Sequence, residues 1–300
     1  MSDLILLLND RKIYNSRYRS RLIALLHERG YDLDNIGVYE STAQLPRLAI
    51  KLFFRRHGLV ISSNLKSNAF NLLFCRSPKV VILNGMGRYR RSRRLRRVVQ
   101  FLLSLRKNTF VIVQNYSDYR YLRRFSPATR MEWMPGSGGT TKIKGKAGAA
   151  VIVQRDPKIA SVADSIKALL NRLEPRPDLS ILGCEDLSQL DRLFSDIPFR
   201  APGYVDSKDI FRHGDIFIQP MGYGEGFPHT LADAMVSGMI IYISDIEFLR
   251  YGLGRLGATR EPLVAGWSRL VPSVELIAAV HTETITARIA EICEKLHQDI

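Results

Sequence analysis

Runs of four or five mostly apolar residues recur along this chain, separated by segments whose apolar residues return at helical spacing, and this alternation limits the fold more than any other feature. Residues 4–8, 36–39, 59–62, 80–83 and 110–113 have the length and composition of strands buried on both faces. Residues 16–29 set Tyr18, Leu22, Leu25 and Leu26 along one helical face, closed by Gly30. A parallel crossover needs about a dozen residues and covers the sheet it crosses, so strand and helix in alternation predict a parallel sheet with helices on both faces. The pattern lapses over residues 135–146, where glycine accumulates, and then restarts. Strands are expected at 149–153, 179–182, 215–219 and 240–244. Helices are expected at 158–173, up to Val236 with Gly238 as its stop, and through Leu296 at the end. Two doubly wound α/β domains, 1–143 and 144–300, are therefore expected, and 300 residues with 46% hydrophobic content can fill two cores.

Residues 1–10 hold five apolar residues in a row without a basic leader, which reads as a first strand rather than a secretion signal. Charges interrupt every apolar stretch well before the roughly 20 residues of a membrane-spanning helix. Cys75, Cys184 and Cys293 are too scattered for a disulfide framework or a zinc cluster, which fits a reducing cytoplasm. The charge is unevenly divided. Residues 1–150 hold 29 Lys and Arg against 8 Asp and Glu, a net +21, whereas residues 151–300 hold 15 against 21, a net −6. One domain is thus expected to face a polyanion, nucleic acid or an acidic lipid surface, while the other does something else.

Ligands of open parallel sheets bind beyond the carboxyl ends of the strands. The strand expected at 215–219 runs through Pro220 into Gly222-Tyr223-Gly224-Glu225-Gly226, where bare backbone can approach a ligand closely. Pro228 suits the first position of the next helix. The N–H groups of His229, Thr230 and Leu231 then form a helix mouth suited to a diphosphate. Glu225 and, a little over two turns along the helix, Asp233 are expected to border that pocket, the first toward sugar hydroxyls and the second toward ribose hydroxyls.

The segment Glu225-Gly226-Phe227-Pro228, followed by Asp233, Ala234-Met235 and Gly238, resembles the retaining GT-B glycosyltransferases that carry a Glu, seven residues, Glu motif, with Asp here in place of the second Glu. The residues 181–184, 202–205 and Asp209 extend the resemblance. It implies two Rossmann-like domains facing across a cleft and a sugar nucleotide held by the second. It also implies Glu225 as the catalytic carboxylate and Arg155, at the end of 151–155, as a diphosphate ligand, with Lys158 after it. Gly224, Gly226, Phe227, His229, Thr230 and Leu231 would line the donor, His229 through its backbone rather than as a base. No Asp-X-Asp pair and no His/Cys cluster accompanies the segment, so no metal and no cofactor beyond the sugar nucleotide is expected.

In the basic half, seven arginines fall in the ten residues 88–97: Arg88, Arg90, Arg91, Arg93, Arg94, Arg96 and Arg97, followed by the apolar run 98–105. A helix over 93–105 could pack one face on its sheet and turn arginines and leucines toward anionic headgroups, each basic residue contributing roughly 1 kcal/mol. Residues 48–56 are a second basic and aromatic stretch. Lys66 and Asn68 after the third strand and Gly87 and Arg88 after the fourth resemble the acceptor side of transferases acting on polyprenyl-diphosphate-linked sugars. The combined expectation is retaining, metal-independent transfer of a hexose or N-acetylhexosamine, UDP-linked, to a lipid-linked or polysaccharide acceptor on the inner face of the cell membrane. The alternatives are a non-catalytic partner of another transferase and a nucleic-acid-binding protein. No known nucleic-acid motif accompanies the arginines.

Overall fold

The computed structural model of the chain describes residues 4–54, 58–86, 92–105, 108–126, 129–222, 226–264 and 266–298. It divides into two compact units, Met1–Gly138 with Gly224–Phe227 and Thr282–Ile300, and Gly139–Tyr223 with Pro228–His281.

The first unit alternates β1 (Leu4–Asn9), α1 (Lys12–Tyr18), α2 (Ser20–Glu28), β2 (Asp32–Gly37), α3 (Leu45–Phe54), β3 (Leu59–Ser63), α4 (Leu65–Phe74), β4 (Lys79–Leu83), α5 (Arg93–Ser104), β5 (Thr109–Val113), α6 (Tyr116–Phe125) and β6 (Arg130–Trp133). Its strands are all parallel, in the order β2-β1-β3-β4-β5-β6. Successive strand residues point to opposite faces. Thus Ile5, Leu7, Ile61 and Ile82 join one core, while Leu6, Leu8 and Val60 join another with Leu52 and Phe70. Residues 16–29 form two helices rather than one, because Arg19 leaves the helical region and its side chain is buried. That burial lowers the Arg19 pKa to about 10. The second strand lies earlier than its apolar residues suggest, at Asp32–Gly37, and as an edge strand it is only partly buried.

The second unit contains β7 (Ala149–Val153), α7 (Asp156–Ile159), α8 (Ala163–Leu170), β8 (Asp178–Leu182), α9 (Leu187–Leu193), β9 (Phe199–Gly203), β10 (Ile216–Gln219), α10 (His229–Val236), β11 (Ile240–Ser244), α11 (Asp245–Tyr251), β12 (Glu261–Pro262), β13 (Trp267–Leu270) and α12 (Val274–Val280). The order is β12-β13-β11-β10-β7-β8-β9, with every pairing parallel except the two made by the reversed strand β13, with β11 and with β12. Residues 158–173 again form two short helices. Pro228 caps α10 from outside, with φ −68° and ψ 134°, one position before the place expected for it.

The unit boundary falls at 138/139 rather than 143/144, and the last helix, α13 (Thr282–Gln298), belongs to the first unit, not the second. The cause is burial. Ile285, Ile289, Ala290, Ile292, Cys293 and Leu296 complete the core formed by Ile5, Leu7, Leu22 and Leu26, and each fully buried aliphatic side chain contributes roughly 1.5–3 kcal/mol. Ion pairs of Arg21 with Glu283 and Arg288 with Glu132 border the same contact.

Candidate functional site

In the second sheet the chain moves from β7 outward to β8 and β9, then returns to place β10 on the other side of β7. The loops after β7 and β10 therefore leave in opposite directions and open a crevice, the position at which such sheets bind ligands. Arg155 stands at the first of these loops, exposed, at the N-cap of α7, and Lys158 follows half-buried within that helix. The second loop leads to α10. Its first intrahelical bond runs from Ala232 N–H to Pro228 O at 3.1 Å, so the N–H groups of His229, Thr230 and Leu231 point out of the helix mouth. The His229 side chain is exposed, whereas that of Leu231 is in the core. Gly224 and Glu225 lie outside the described residues, and Phe227 is buried.

Three polar ties hold this crevice, and none was visible as a motif. The Asp156 carboxylate accepts from the backbone N–H groups of Glu185 and Asp186 at 3.1–3.2 Å, stapling the loop after β7 to the loop after β8. Those bonds lower its pKa. Gly222 is held on both sides by Glu247 and Arg250 of α11. Asp233 is engaged by its own unit. Its Oδ1 accepts from Thr140 N–H at 2.7 Å, and Lys142 Nζ stands 3.8 Å from Oδ2. Burial raises the Asp233 pKa while Thr140 and Lys142 pull it down. A Cβ on Gly139 would meet the Ala232 carbonyl carbon at 2.3 Å, so glycine lets the strap 139–142 lie directly on α10. Asp233, expected to meet a ribose, thus also has partners within its own unit, Thr140 and Lys142, which form an internal latch.

The first sheet has its own reversal, between β1 and β3. There the side chains form an oriented chain of carboxamides. Asn84 Nδ2 donates to Asn64 Oδ1 at 2.7 Å, Asn64 to Asn9 at 2.6 Å, Asn9 to Asn15 at 2.9 Å and Asn15 to Asn35 at 2.8 Å. Asn64 adopts φ 71° with ψ 148°, a positive-φ extended conformation that is nearly confined to glycine, so the backbone is strained at this point. A Cβ on Gly226 would lie 1.6 Å from the Asn84 carbonyl oxygen, so only glycine permits that approach. The sequence signal was present: Asn9, Asn64, Asn84 and Asn115 each end or follow an apolar strand. Of the expected acceptor residues, Lys66 is exposed with Nζ 5.7 Å from the Tyr39 ring centroid. Asn68 is instead buried and donates to Ile82 O at 2.8 Å, which makes it part of the interior. Gly87 and Arg88 lie outside the described residues, as do Arg90 and Arg91.

Helix α5 buries Val99, Leu102 and Leu103 and leaves Val98 and Phe101 exposed, Phe101 at 61%. Arg93, Arg94 and Arg97 are exposed, and Arg96 stacks 4.5 Å from the Tyr121 ring centroid. Helix α3 exposes Ile50 and Phe54 in the same way. Among the described residues, no helix is long and apolar enough to cross a membrane, and no three His, Cys, Asp or Glu residues are grouped to hold a metal ion. An Asp-X-Asp pair does occur, Asp32 and Asp34, but on the edge strand β2.

Solved structures share this architecture over nearly the whole chain. Anabaena HepE in complex with UDP and glucose is 13% identical with a TM-score of 0.63, covering 97% of this chain and 99% of its own. The chain has the GT-B fold. A glycosyltransferase from Rickettsia africae ESF-5 is 10% identical with a TM-score of 0.62, over 98% of each chain. A chain of the GtfA/B complex is 13% identical with a TM-score of 0.57, covering 86% of this chain, which spans only 61% of that longer one. No family model and no curated protein matches the sequence.

Proposed function

We propose that the chain is a glycosyltransferase that moves a hexose or N-acetylhexosamine, with retention and without a metal, from a UDP-linked donor to a lipid-linked or polysaccharide precursor at the cytoplasmic face of a membrane. The observation that supports this reading is the β7/β10 reversal, where two adjacent strands lead, one to Arg155 and the other to the mouth of α10, within a GT-B fold. Breaking the bond between the sugar C1 and the diphosphate places negative charge on the leaving group, and a guanidinium with aligned backbone N–H groups neutralises it without reorganising. Glu225 would hold the sugar. The acceptor oxygen bonds to C1 on the face the diphosphate leaves, and its proton passes to the departing phosphate oxygen. HepE, which has been solved with UDP-glucose, makes UDP the first base to test. Lys66 and Arg88 are the candidate contacts for an acceptor phosphate. Helices α3 and α5, with exposed aromatic and basic side chains, would rest on an anionic bilayer.

Calorimetry with UDP- and GDP-sugars tests the donor site directly. Binding in the micromolar-to-millimolar range is expected for one of them, with transfer abolished and the fold retained in Glu225→Gln. Full transfer activity by that variant would remove Glu225 from the mechanism, and the absence of binding to every donor would sink the reading.

A further inference from the structure

The connection from β10 to α10 carries the residues proposed to meet the donor sugar, and its described root, Gly222, is gripped on both edges of its backbone. Gly222 N–H donates to Glu247 Oε1 at 2.8 Å, and Gly222 C=O accepts from Arg250 Nη1 at 3.0 Å. Glu247 and Arg250 also bond to each other, three residues apart on α11. Ser244 Oγ caps that helix by accepting from Glu247 N–H at 3.4 Å. The Glu247 side chain is fully buried and that of Arg250 is 14% exposed. A Cβ on Gly222 would have Glu247 Oε1 as its neighbour at 3.9 Å, so packing does not force the grip.

A buried ion pair is a poor means of gaining stability, because an apolar pair of similar volume serves as well or better. Its distinctive property is direction. A carboxylate engaging an N–H while a guanidinium engages the C=O of the same residue fixes that backbone in one plane, as a neighbouring strand would. Burial raises the Glu247 pKa, and Arg250 opposes that rise.

We propose that Glu247 and Arg250 are positioning residues for the donor loop, fixing the orientation of its root, Gly222, without touching the ligand themselves. This rests on the donor reading above for its ligand, though not for its effect on the loop. The test uses the full chain as wild type, Arg250→Lys, and the double variant Glu247→Met/Arg250→Met. Two readouts are hydrogen exchange over residues 220–228 without ligand and calorimetry with UDP, GDP and dTDP.

Removing both charges leaves no orphaned ion, so the double variant is expected to fold and melt close to wild type. Its loop amides should exchange faster, and its affinity for the nucleotide that wild type binds should fall about tenfold. Lysine keeps the charge but lacks the planar fork that spans Glu247 and Gly222 O, so Arg250→Lys should fall between the two. It also decides the matter if the double variant does not fold. Unchanged exchange over 220–228, or wild-type nucleotide affinity in a folded variant, overturns the proposal. Wild type that binds none of the three nucleotides overturns the donor reading instead, while the exchange result still judges the grip on the loop.

Discussion

Replacing Asp233 by alanine separates two roles that the same carboxylate could have, latch or ribose ligand. As a latch it accepts the Thr140 N–H at 2.7 Å, a charge-assisted bond contributing roughly 1.5–3 kcal/mol. Thr140 is exposed, so water regains part of that bond in the variant and the lower half of the range applies. The Lys142 pair at 3.8 Å adds less than about 1 kcal/mol. The sum is about 2 kcal/mol, or about 4–8 °C in the melting of a unit of this size. Asp233→Asn keeps an acceptor for Thr140 N–H and should lose about half as much. The pH dependence has a definite sign. Burial raises the folded-state pKa of Asp233, so folding favours its protonated form: the proton-linked stability is complete below the unfolded value of about 4 and is lost as pH rises through the folded value, the ionised latch offsetting only part of the burial cost. Wild type should therefore lose stability relative to Asp233→Asn as pH rises through that window. Thermal melts at several pH values with parallel UDP calorimetry provide the assay. If Asp233→Ala melts like wild type while UDP affinity collapses, the latch is refuted and the carboxylate belongs to the ligand.

Two further outcomes follow from the packing. Ile289→Ala, in α13 and 2% exposed, should cost roughly 2–5 kcal/mol and accelerate hydrogen exchange in β1 and β3 of the first unit; a response confined to the second unit would contradict the placement of that helix. Phe101→Ser, on a side chain 61% exposed, should leave melting within about 0.5 kcal/mol of wild type while weakening binding to anionic vesicles. Undiminished vesicle binding would remove α5 from any membrane role.

The fold was legible where burial is two-sided. Central strands such as β1, β3, β4 and β5 announce themselves as apolar runs, and the observed strands match them within a residue or two. Edge strands did not, because β2, β6 and β9 bury less and carry polar residues on their open side. Helix breaks were missed for a related reason. Apolar spacing continues through Arg19 and through residues 160–162, and only the tertiary position of a buried arginine or a tight turn interrupts the backbone. The return of α13 to the first unit has no local signature, since an amphipathic face does not name its partner. Within the site, glycines, Pro228 and the α10 mouth were readable because their roles are local. The grip of Glu247 and Arg250 on Gly222, some 25 residues away in sequence, is a long-range pairing that no spacing rule marks.

Both sheets reverse direction once, yet the two reversals differ in chemistry. The β1/β3 reversal is lined by carboxamides, which donate and accept without net charge and match hydroxyl groups. The β7/β10 reversal presents Arg155 and a helix mouth, which match a diphosphate. On α5, Arg93, Arg94 and Arg97 are exposed beside Val98 and Phe101. A nucleic-acid groove would pair such arginines with polar or stacking surface along a track. A short stripe of aliphatic and aromatic side chains rimmed by guanidinium groups matches an interface that is anionic at its surface and apolar a few ångströms below. This argument favours a bilayer as the polyanion, and Phe101→Ser is the sharper test because it leaves every arginine in place: an electrostatic, nucleic-acid-like interaction would survive it, and insertion into a bilayer would not.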